Sequence, residues 1–581
     1  MNRGIMNRFA FNPTDVSISR STFSLSHSIK FSFNVGELIP FYVNSDVLPG
    51  DTFQIQTSKV VRLQPLVSPI MDNLYLDVYY FFVPHRLVWQ HWKEFMGENN
   101  SSYWTQTTEY NIPHLKLNSG SGNDSEVKPK SILDYMGIPT SVKAGNNFTF
   151  SALPIRCYCL CWNDWFRSEN ISQPVHIYTD DNDRTIASYS SSPTFANRVT
   201  NTELGNYPPL QVCKYFDYFT SCLPSPQKGP SVTFELAGSA PVTTGAAHIQ
   251  YGDAIDAGMI LGGINSSNKL AKAVTTSGKE RLLGIGYDSS STSPSSTLRM
   301  ASSEQNAMNL SQVVPVNLWA NLSEVSQFSI NELRTAFAIQ KFYEKQARGG
   351  TRYIEMIKSF FNVDSSDSRM QRPEYLGGSR LPLNVSQVEQ TSATESGLTP
   401  LGDVAGMSVT GDVHGDFIKS FEEHGTLIGL CAVRYNHTYQ QGLNRMWSRR
   451  TLFDFYFPTF ANVGERSTLN KELYVGTSAT DNEGVFGYNE AWSEYRYTPS
   501  RVAGEMRSNY ATSLDYWHLG DEYNSLPTLT SDWIFEDKAP LDRCLAVTSA
   551  VSNQLIADFY LDIKATRPMP AYSIPGLIDH H

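Results

Sequence analysis

Apolar and polar residues alternate with a period of two in several stretches of the chain, the clearest being residues 29–35, 52–56, 74–82 and 558–565. Successive side chains of a β-strand point to opposite faces of the sheet, so each stretch is predicted to be a half-buried strand. Leu427 to Tyr435 is apolar on both faces, which is typical of a strand covered on both sides. The pattern therefore predicts a mainly β protein.

Strand signals near both ends of the chain, with long segments between them, favour an antiparallel arrangement. A parallel sheet would require a regular alternation of strands and helices, which the sequence lacks. We expect an eight-stranded antiparallel jelly roll, a two-sheet sandwich with long loop insertions and a few helices. Residues 38–97 are expected to form its first wall, and residues 426–439 and 558–566 to complete it.

Helical signals are fewer. Aromatic residues recur at helical spacing in residues 89–95, and Gly97 follows as a stop. Residues 153–171 mix large apolar side chains at several spacings, so a buried helix is the interpretation and a strand is its alternative. A capping box opens a helix expected to span about residues 329–347, and a second helix is expected over residues 353–361.

Composition changes most sharply between Pro226 and Gln312. These residues are rich in Ser, Thr, Gly and Ala, and only three of the 71 aromatic residues of the chain fall among them: Phe234, Tyr251 and Tyr287. Such a segment cannot build a large core alone. We therefore expect residues 1–225 and 313–581 to form the core domain, and residues 226–312 to be an inserted surface loop.

Charge and hydropathy exclude several classes of protein. The net charge is -11, so the chain as a whole repels nucleic acid, and any DNA contact must come from local cationic patches. The longest apolar run, about Leu427 to Val433, is far too short to span a bilayer, so no membrane insertion is expected. No signal peptide is evident in residues 1–17, so the chain is expected to remain in the compartment where it is made.

The seven cysteines are too sparse to predict a disulfide framework. Three of them, Cys157, Cys159 and Cys161, are close enough in sequence to suggest a metal site. Zinc sites need a second pair of ligands, so we expect these cysteines to be small, buried apolar side chains instead. The sequence GDVHGD places Asp412, His414 and Asp416 as in a metal-dependent hydrolase. No companion ligand motifs follow, and such residues in a Gly-rich turn are usually turn formers. No catalytic, metal or cofactor site is predicted.

One cationic patch deserves a functional hypothesis. In NRMWSRRTLF, three arginines lie beside a tryptophan: Arg445, Trp447, Arg449 and Arg450. Guanidinium groups neutralise phosphates and an indole stacks on an unpaired base, so these four residues are the candidate nucleic-acid contact. The alternative is a solvated patch or a protein interface, because arginine suits both.

Long motifs occur in one order through most of the chain. They are LIPFYV (38–43), LPGDTF (48–53), PIMDNLYLD (69–77), FFVPHRLVW (81–89), LPSPQKGP (223–230), FEEHGTLIGL (421–430), GYNEAWSEYRY (487–497), LDYWHLGDEY (514–523) and RPMPAYSIPGLIDH (567–580). Together they resemble the major capsid protein of microviruses, small icosahedral single-stranded DNA bacteriophages, and of their gokushovirus branch in particular. The inserted loop is the part that the resemblance does not cover.

The resemblance implies a jelly-roll subunit that assembles through pentamers into a T=1 icosahedral shell of sixty copies around circular single-stranded DNA. The inserted loop is then expected to form an outward protrusion at the threefold axes and to face the host cell. Its three aromatic residues, Phe234, Tyr251 and Tyr287, are the candidates for host attachment.

The resemblance and the charge also imply partners. Besides copies of itself, the chain is expected to meet the packaged DNA, a host-cell receptor and a small basic internal DNA-binding protein that supplies counter-charge. It is expected in the virion, after assembly in the host bacterial cytoplasm. Two alternatives stay open at this point: a jelly-roll carbohydrate-binding module or lectin, and a metal-dependent hydrolase that uses GDVHGD.

Overall fold

The structure is a computed structural model. It describes residues 19–98, 109–117, 126–140, 148–186, 204–229, 371–392 and 401–572, together with a helix at 330–348 and short strands between 242 and 320. The chain divides into two compact units, one formed by residues 1–228 with 344–581 and the other by residues 229–343.

Strands dominate both units. The first unit begins with β1 (Ser21–Ser24), β2 (His27–Phe33), β3 (Ile39–Val47), β4 (Thr52–Leu63), β5 (Leu74–Pro84), β6 (His114–Lys116), β7 (Thr149–Ser151) and β8 (Arg184–Thr185). The second unit contains β9 (Val242–Thr244), β10 (Leu261–Ile264), β11 (Leu270–Ala271), β12 (Ala273–Val274), β13 (Glu280–Arg281), β14 (Gly284–Gly286), β15 (Arg299–Ala301), β16 (Gln312–Pro315) and β17 (Leu318–Ala320). The first unit resumes with β18 (Glu374–Leu383), β19 (Val385–Glu389), β20 (Val404–Ser420), β21 (Gly425–Tyr435), β22 (Arg466–Leu469), β23 (Val485–Asn489) and β24 (Leu555–Arg567).

Helices in the described residues are mostly single turns. They are α1 (Trp92–Phe95), α2 (Ile132–Tyr135), α3 (Leu153–Cys161), α4 (Ile330–Arg348), α5 (Asn470–Leu473), α6 (Ala479–Asn482), α7 (Ser531–Ile534) and α8 (Ala539–Cys544). The helices predicted near residues 89–95 and 329–347 are therefore confirmed as α1 and α4. The helix predicted at residues 353–361 lies outside the described residues.

A six-stranded sheet joins the two ends of the chain. Its order is β1–β24–β4–β20–β19, β2 also pairs with β24, and all of these pairs are antiparallel. Along β4 and β24 every second side chain is buried, as the period of two predicts. The other face of this sheet is exposed and carries apolar residues such as Val413, Ile556 and Tyr560.

A four-stranded antiparallel sheet, in the order β18–β5–β21–β3, faces the first. The prediction that residues 38–97 form one wall is therefore wrong, because β3 and β5 belong to this sheet and β4 to the other. Nearly every residue of β5 and β21 is buried. This confirms the prediction that residues 427–435 form a strand covered on both sides, whereas residues 74–82, predicted to be half-buried, are covered on both sides as well. The predicted mainly β fold with antiparallel sheets is thus confirmed.

The main hydrophobic core lies between these two sheets. It includes Phe53 and Phe559 from the six-stranded sheet, and Leu76, Val78 and Val433 from the four-stranded sheet. Burying each such side chain contributes about 1.5–3 kcal/mol, so the alternation seen in the sequence is what holds the sheets together.

A second core covers the opposite face of the four-stranded sheet. Helix α3 packs there, where Leu430 and Phe81 of the sheet meet buried side chains such as Tyr158. The Tyr158 hydroxyl donates to the Leu38 carbonyl oxygen over 2.8 Å. Residues 153–161 are therefore helical, which decides between the two interpretations of this segment.

The cysteines behave as buried apolar residues, as predicted. All seven are buried thiols, and burial raises the pKa of Cys157 to about 12. Such thiols stay protonated at neutral pH and are poor nucleophiles and metal ligands.

Between β21 and β24 the chain leaves the sandwich and forms a third, smaller core with the segment after residue 214. Tyr218 and Phe219 pack there with Tyr439, Leu473 and Phe486. Strands β22 and β23 form a short antiparallel hairpin in this region. The candidate nucleic-acid contact lies in the same excursion.

A buried ionic network crosses this excursion. His437 lies 2.9 Å from an oxygen of Asp521 through Nδ1 and 2.9 Å from an oxygen of Glu536 through Nε2. The Tyr523 hydroxyl donates to Asp521 over 3.0 Å, and Lys214 Nζ lies 3.7 Å from the same carboxylate. Both imidazole nitrogens face carboxylates, so the geometry favours the protonated ring.

The described residues of the second unit form short strands and the first part of helix α4, up to residue 343. The strands pair as β11–β10–β16, β12–β13, β14–β15 and β17–β9, and all of these pairs are antiparallel. Most of the segment predicted to be an inserted loop falls in this unit, which also extends beyond it to residue 343. Its assignment as a surface protrusion stays a prediction.

Candidate nucleic-acid interface

Two consecutive 3-10 turns position the candidate residues. The first spans Arg445–Ser448, and the side chain of Asn444 caps it by accepting from the Met446 backbone N–H over 2.9 Å. The second spans Leu452–Asp454 and begins after Thr451. The Asn444 side chain satisfies a backbone N–H group that the first turn leaves free, so the sequence shapes this segment locally.

Arg445 points inward. Its guanidinium donates to the Ser467 carbonyl oxygen (2.8 Å) and to Glu472 (3.1 Å), and its Nε lies 3.7 Å from Glu494. Its side chain is only 12% exposed. Burial raises the pKa of Glu472, whereas the charge of Arg445 opposes that rise. Arg445 is thus an internal counter-ion.

Trp447 and Arg450 lie at the surface, and Arg449 is half-buried. Trp447 is 72% exposed. The Arg449 guanidinium stacks 4.2 Å from the centre of the Tyr495 ring, and Arg450 is exposed. Within the described residues neither Arg449 nor Arg450 forms an ion pair, so the structure separates one arginine that is paired with carboxylates from two that are not. The nucleic-acid contact itself stays a prediction.

A tight turn follows these residues. The Asp454 carboxylate accepts from the backbone N–H groups of Arg450 (2.9 Å) and Thr451 (2.7 Å) and from the Thr451 hydroxyl (3.0 Å). These hydrogen bonds hold the pKa of Asp454 down at about 2. The carboxylate is therefore ionised at neutral pH, and its hydrogen bonds stabilise the turn.

Sequence reasoning did not single out the apolar residues within this turn and directly after it. Six apolar side chains are exposed there, and we call them the aromatic ridge: Leu452, Phe453, Phe455, Tyr456, Phe457 and Val463. The signal was present as the run LFDFYF, which resembles an ordinary core segment. Periodicity gives no sign that such residues face solvent.

Comparison with known proteins identifies the family. A family model described as "Capsid protein (F protein)" matches residues 13–577. Capsid protein VP1 of Chlamydia phage 1 is 37% identical over 602 residues, covering 98% of each chain. Capsid protein VP1 of Bdellovibrio phage phiMH2K is 37% identical over 565 residues, covering 97% of this chain and 96% of its own. Capsid protein VP1 of Spiroplasma virus 4 is 38% identical over 564 residues, covering 96% of each.

The chain belongs to this capsid protein family. The resemblance to gokushovirus capsid proteins is confirmed, and with it the prediction of a structural major capsid protein rather than an enzyme. A capsid protein of this family self-assembles into a shell and is part of the virion. The lectin and hydrolase alternatives are set aside by this finding.

In the capsid protein, the GDVHGD segment is not a turn, so that prediction is wrong. It lies inside the long strand β20, with a bulge between Gly415 and Phe417. Asp412 lies 3.1 Å from the buried ammonium of Lys59, and Asp416 accepts from the Thr57 hydroxyl. Burial raises the pKa of Asp416. The motif therefore supplies partners for polar groups of β4.

The remaining predicted sites concern host attachment, metal binding and membrane insertion. The candidates for host attachment, Phe234, Tyr251 and Tyr287, lie outside the described residues. Among the residues that the structure describes, no cluster of three or more His, Cys, Asp or Glu side chains could hold a metal ion. The same part of the capsid protein contains no helix that combines the length and the apolar character of a membrane span.

Proposed function

We propose that this capsid protein is the subunit of a T=1 icosahedral shell of sixty copies that encloses circular single-stranded DNA. The match to phage capsid proteins over residues 13–577 carries the proposal, and the two-sheet core supports it. Assembly through pentamers in the host bacterial cytoplasm belongs to the same proposal and rests on the resemblance.

We further propose that the sandwich is an eight-stranded jelly roll. Its eight strands are those with at least seven residues: β2, β4, β20 and β24 in one sheet and β3, β5, β18 and β21 in the other. The shorter β1 and β19 then extend the edges of the first sheet. Two facing sheets of four long strands each fit this architecture.

The proposed DNA contact is carried by Trp447, Arg449 and Arg450. Their support is geometric, since an exposed indole lies close in sequence to two arginines without a carboxylate partner in the described residues. Two arginines do not offset the net charge of -11, so a small basic internal protein is proposed to supply the remaining counter-charge.

Expression of the chain with its neighbouring genes should yield uniform small isometric particles that contain nuclease-resistant DNA. Replacing Arg449 and Arg450 together with glutamine should leave such particles intact and lower the DNA per particle on the order of twofold, because two phosphate contacts per subunit are lost. Electron microscopy and quantification of the protected DNA measure the two results.

Arg496→Gln is the matched control, because Arg496 is also exposed but pairs with Glu490 at 3.0 Å. Dispersed monomers from the unmodified protein would contradict the shell proposal. Particles of the double variant with unchanged DNA would contradict the contact proposal alone.

The inserted loop is proposed to form the threefold protrusion and to bind a host-cell receptor. Its composition supports this, because a segment this poor in aromatic residues gains stability most readily by packing against copies of itself. Deleting Ser231–Leu310 should preserve the thermal unfolding of the core and reduce adsorption to host cells by at least about tenfold. Normal adsorption of shells that lack the loop would overturn the proposal.

A further inference from the structure

The aromatic ridge is the most concentrated exposed apolar surface in the C-terminal excursion. Leu452 and Phe453 are 67% and 68% exposed, and Phe455, Tyr456, Phe457 and Val463 are exposed as well. Exposed apolar residues are ordinary when scattered singly, whereas a contiguous group marks an interaction surface.

Contacts with Trp492 and Tyr495 anchor the ridge. Tyr456 packs edge-on against Trp492 with ring centres 5.6 Å apart, and its backbone N–H donates to the Tyr495 hydroxyl over 3.2 Å. The Trp492 indole N–H donates to the Phe460 carbonyl oxygen over 2.9 Å. These contacts tie Tyr456 and the Phe460 backbone to the segment that contains Trp492 and Tyr495.

Trp492 itself adopts a backbone conformation that costs free energy. Its φ is +65°, in the left-handed region that bulky residues avoid. Such a conformation costs on the order of 1–3 kcal/mol and persists only where the surroundings enforce it. The buried Trp492 ring packs against Tyr456 of the ridge, and the Arg466 guanidinium stacks 4.6 Å from the centre of the Trp492 ring. The strained backbone of Trp492 therefore lies where the ridge is anchored.

The chemistry of the ridge favours a protein partner. Its span contains one acidic residue, Asp454, whose carboxylate is engaged by the adjoining turn, and no lysine or arginine. Arg449 lies at its edge, 5.6 Å from the centre of the Phe455 ring, and the span itself adds no cation that could collect phosphates. Large aromatic side chains with few charges are instead the composition of the centre of a protein interface.

The size of the ridge also fits a protein interface. The six side chains together expose on the order of 500 Å², more than half of the roughly 800 Å² that each partner buries in a standard interface. The family to which the chain belongs assembles many copies into a shell, so another copy is the partner present at the highest local concentration.

We propose that the aromatic ridge is a contact surface between copies of this chain, buried when subunits assemble. The proposal rests on the shell-forming function and names one surface through which it operates. The charged segment before the ridge, Trp447 to Arg450, then borders the contact and does not form its centre.

The test replaces Leu452 and Phe453 together with serine in the full chain, expressed with its neighbouring genes. Particles should fall by at least about tenfold, because each subunit loses two buried apolar anchors per contact. Unassembled subunits should keep the thermal unfolding of the parent, since neither side chain belongs to a core. Val551→Ser is the matched control, because Val551 is 81% exposed and lies off the ridge.

Three results would overturn the proposal: normal particle yield from the double variant, an equal loss of particles from the control, or normal particles with less DNA. The last would assign the ridge to the genome. Failure of the unmodified chain to form particles would instead contradict the shell function itself.

A second measurement tests whether the ridge becomes buried on assembly while leaving most of it unchanged. Every native cysteine is buried, so Leu452→Cys introduces one accessible thiol. A maleimide should label this thiol in dissociated subunits and react at least about tenfold more slowly in assembled particles. Equal rates in the two states would contradict burial of the ridge on assembly.

Discussion

Replacing His437 with alanine should lower the free energy of unfolding by about 3–5 kcal/mol, because two buried carboxylates then lose their cationic partner. The His437 side chain is 1% exposed and contacts both Asp521 and Glu536. Lys214 remains near Asp521, but one oxygen of Glu536 is already buried without a hydrogen-bond partner in the described residues. Urea unfolding measures the loss, and the exposed His176→Ala serves as the control, with an expected change within about 0.5 kcal/mol.

The same network predicts how stability depends on pH. Burial acts to lower the pKa of His437, but the charges of Asp521 and Glu536 outweigh it and raise the pKa to about 9. Because this folded value lies above the ordinary value near 6.5, the stabilisation is complete below about pH 6.5 and is lost as the pH rises toward 9. The free energy of unfolding of the parent should therefore fall across this pH range, and that of the alanine variant should fall less. Parallel curves would contradict a protonated His437.

The pKa of Asp521 sets the lower end of the pH range in which the network stabilises the fold. Burial acts to raise it, but the charges of His437 and Lys214 lower it to about 2. Since the folded value lies below the ordinary value near 3.9, this contribution is present above about pH 4 and is lost as the pH falls toward 2. The network is therefore strongest between these two ranges.

Replacing Arg445 with methionine should also cost about 3–5 kcal/mol, because Glu472 then remains buried without its counter-charge. Glu494 keeps Arg466 at 3.4 Å, so the loss falls mainly on Glu472. The double variant Arg445→Met with Glu472→Met should recover most of the stability, since it removes both buried charges. Thermal and urea unfolding of the single and double variants measure the effect.

Arg450→Met is the control for this experiment because Arg450 is exposed, and its unfolding should change by no more than about 0.5 kcal/mol. If Arg445→Met unfolds like the parent and instead lowers the DNA content of particles, Arg445 contacts the genome and is not an anchor. Unfolding and DNA content therefore distinguish the two roles that one arginine could have.

Local pattern was sufficient for the strands. Residues 52–63 and 555–567 alternate in burial as their apolar residues alternate in sequence, because the period of two is a property of the strand itself. The order in which the strands pair could not be predicted from such local patterns. Strand β24 lies between β1 and β4 across more than 480 residues of sequence, and no local pattern encodes such a pairing.

The candidate site illustrates the limit more sharply. The sequence placed Arg445, Arg449 and Arg450 together as equivalent cations, and the structure separates them, because Glu472 and Glu494 approach only Arg445. In the same way, the glycines of GDVHGD predict a turn. The carboxylates of this motif instead meet Lys59 and Thr57 on a neighbouring strand.

The sequence by itself determined the fold class, the family, the buried cysteines and the segment most different in composition. Each of these follows from local periodicity, from amino-acid composition or from motifs in a fixed order. Only the tertiary structure decided which charges are neutralised, which apolar residues stay exposed, and that His437 joins two carboxylates. The physical reason is that solvation and pairing depend on residues distant in sequence, such as Asp521 beside His437, and these meet only when the chain is folded.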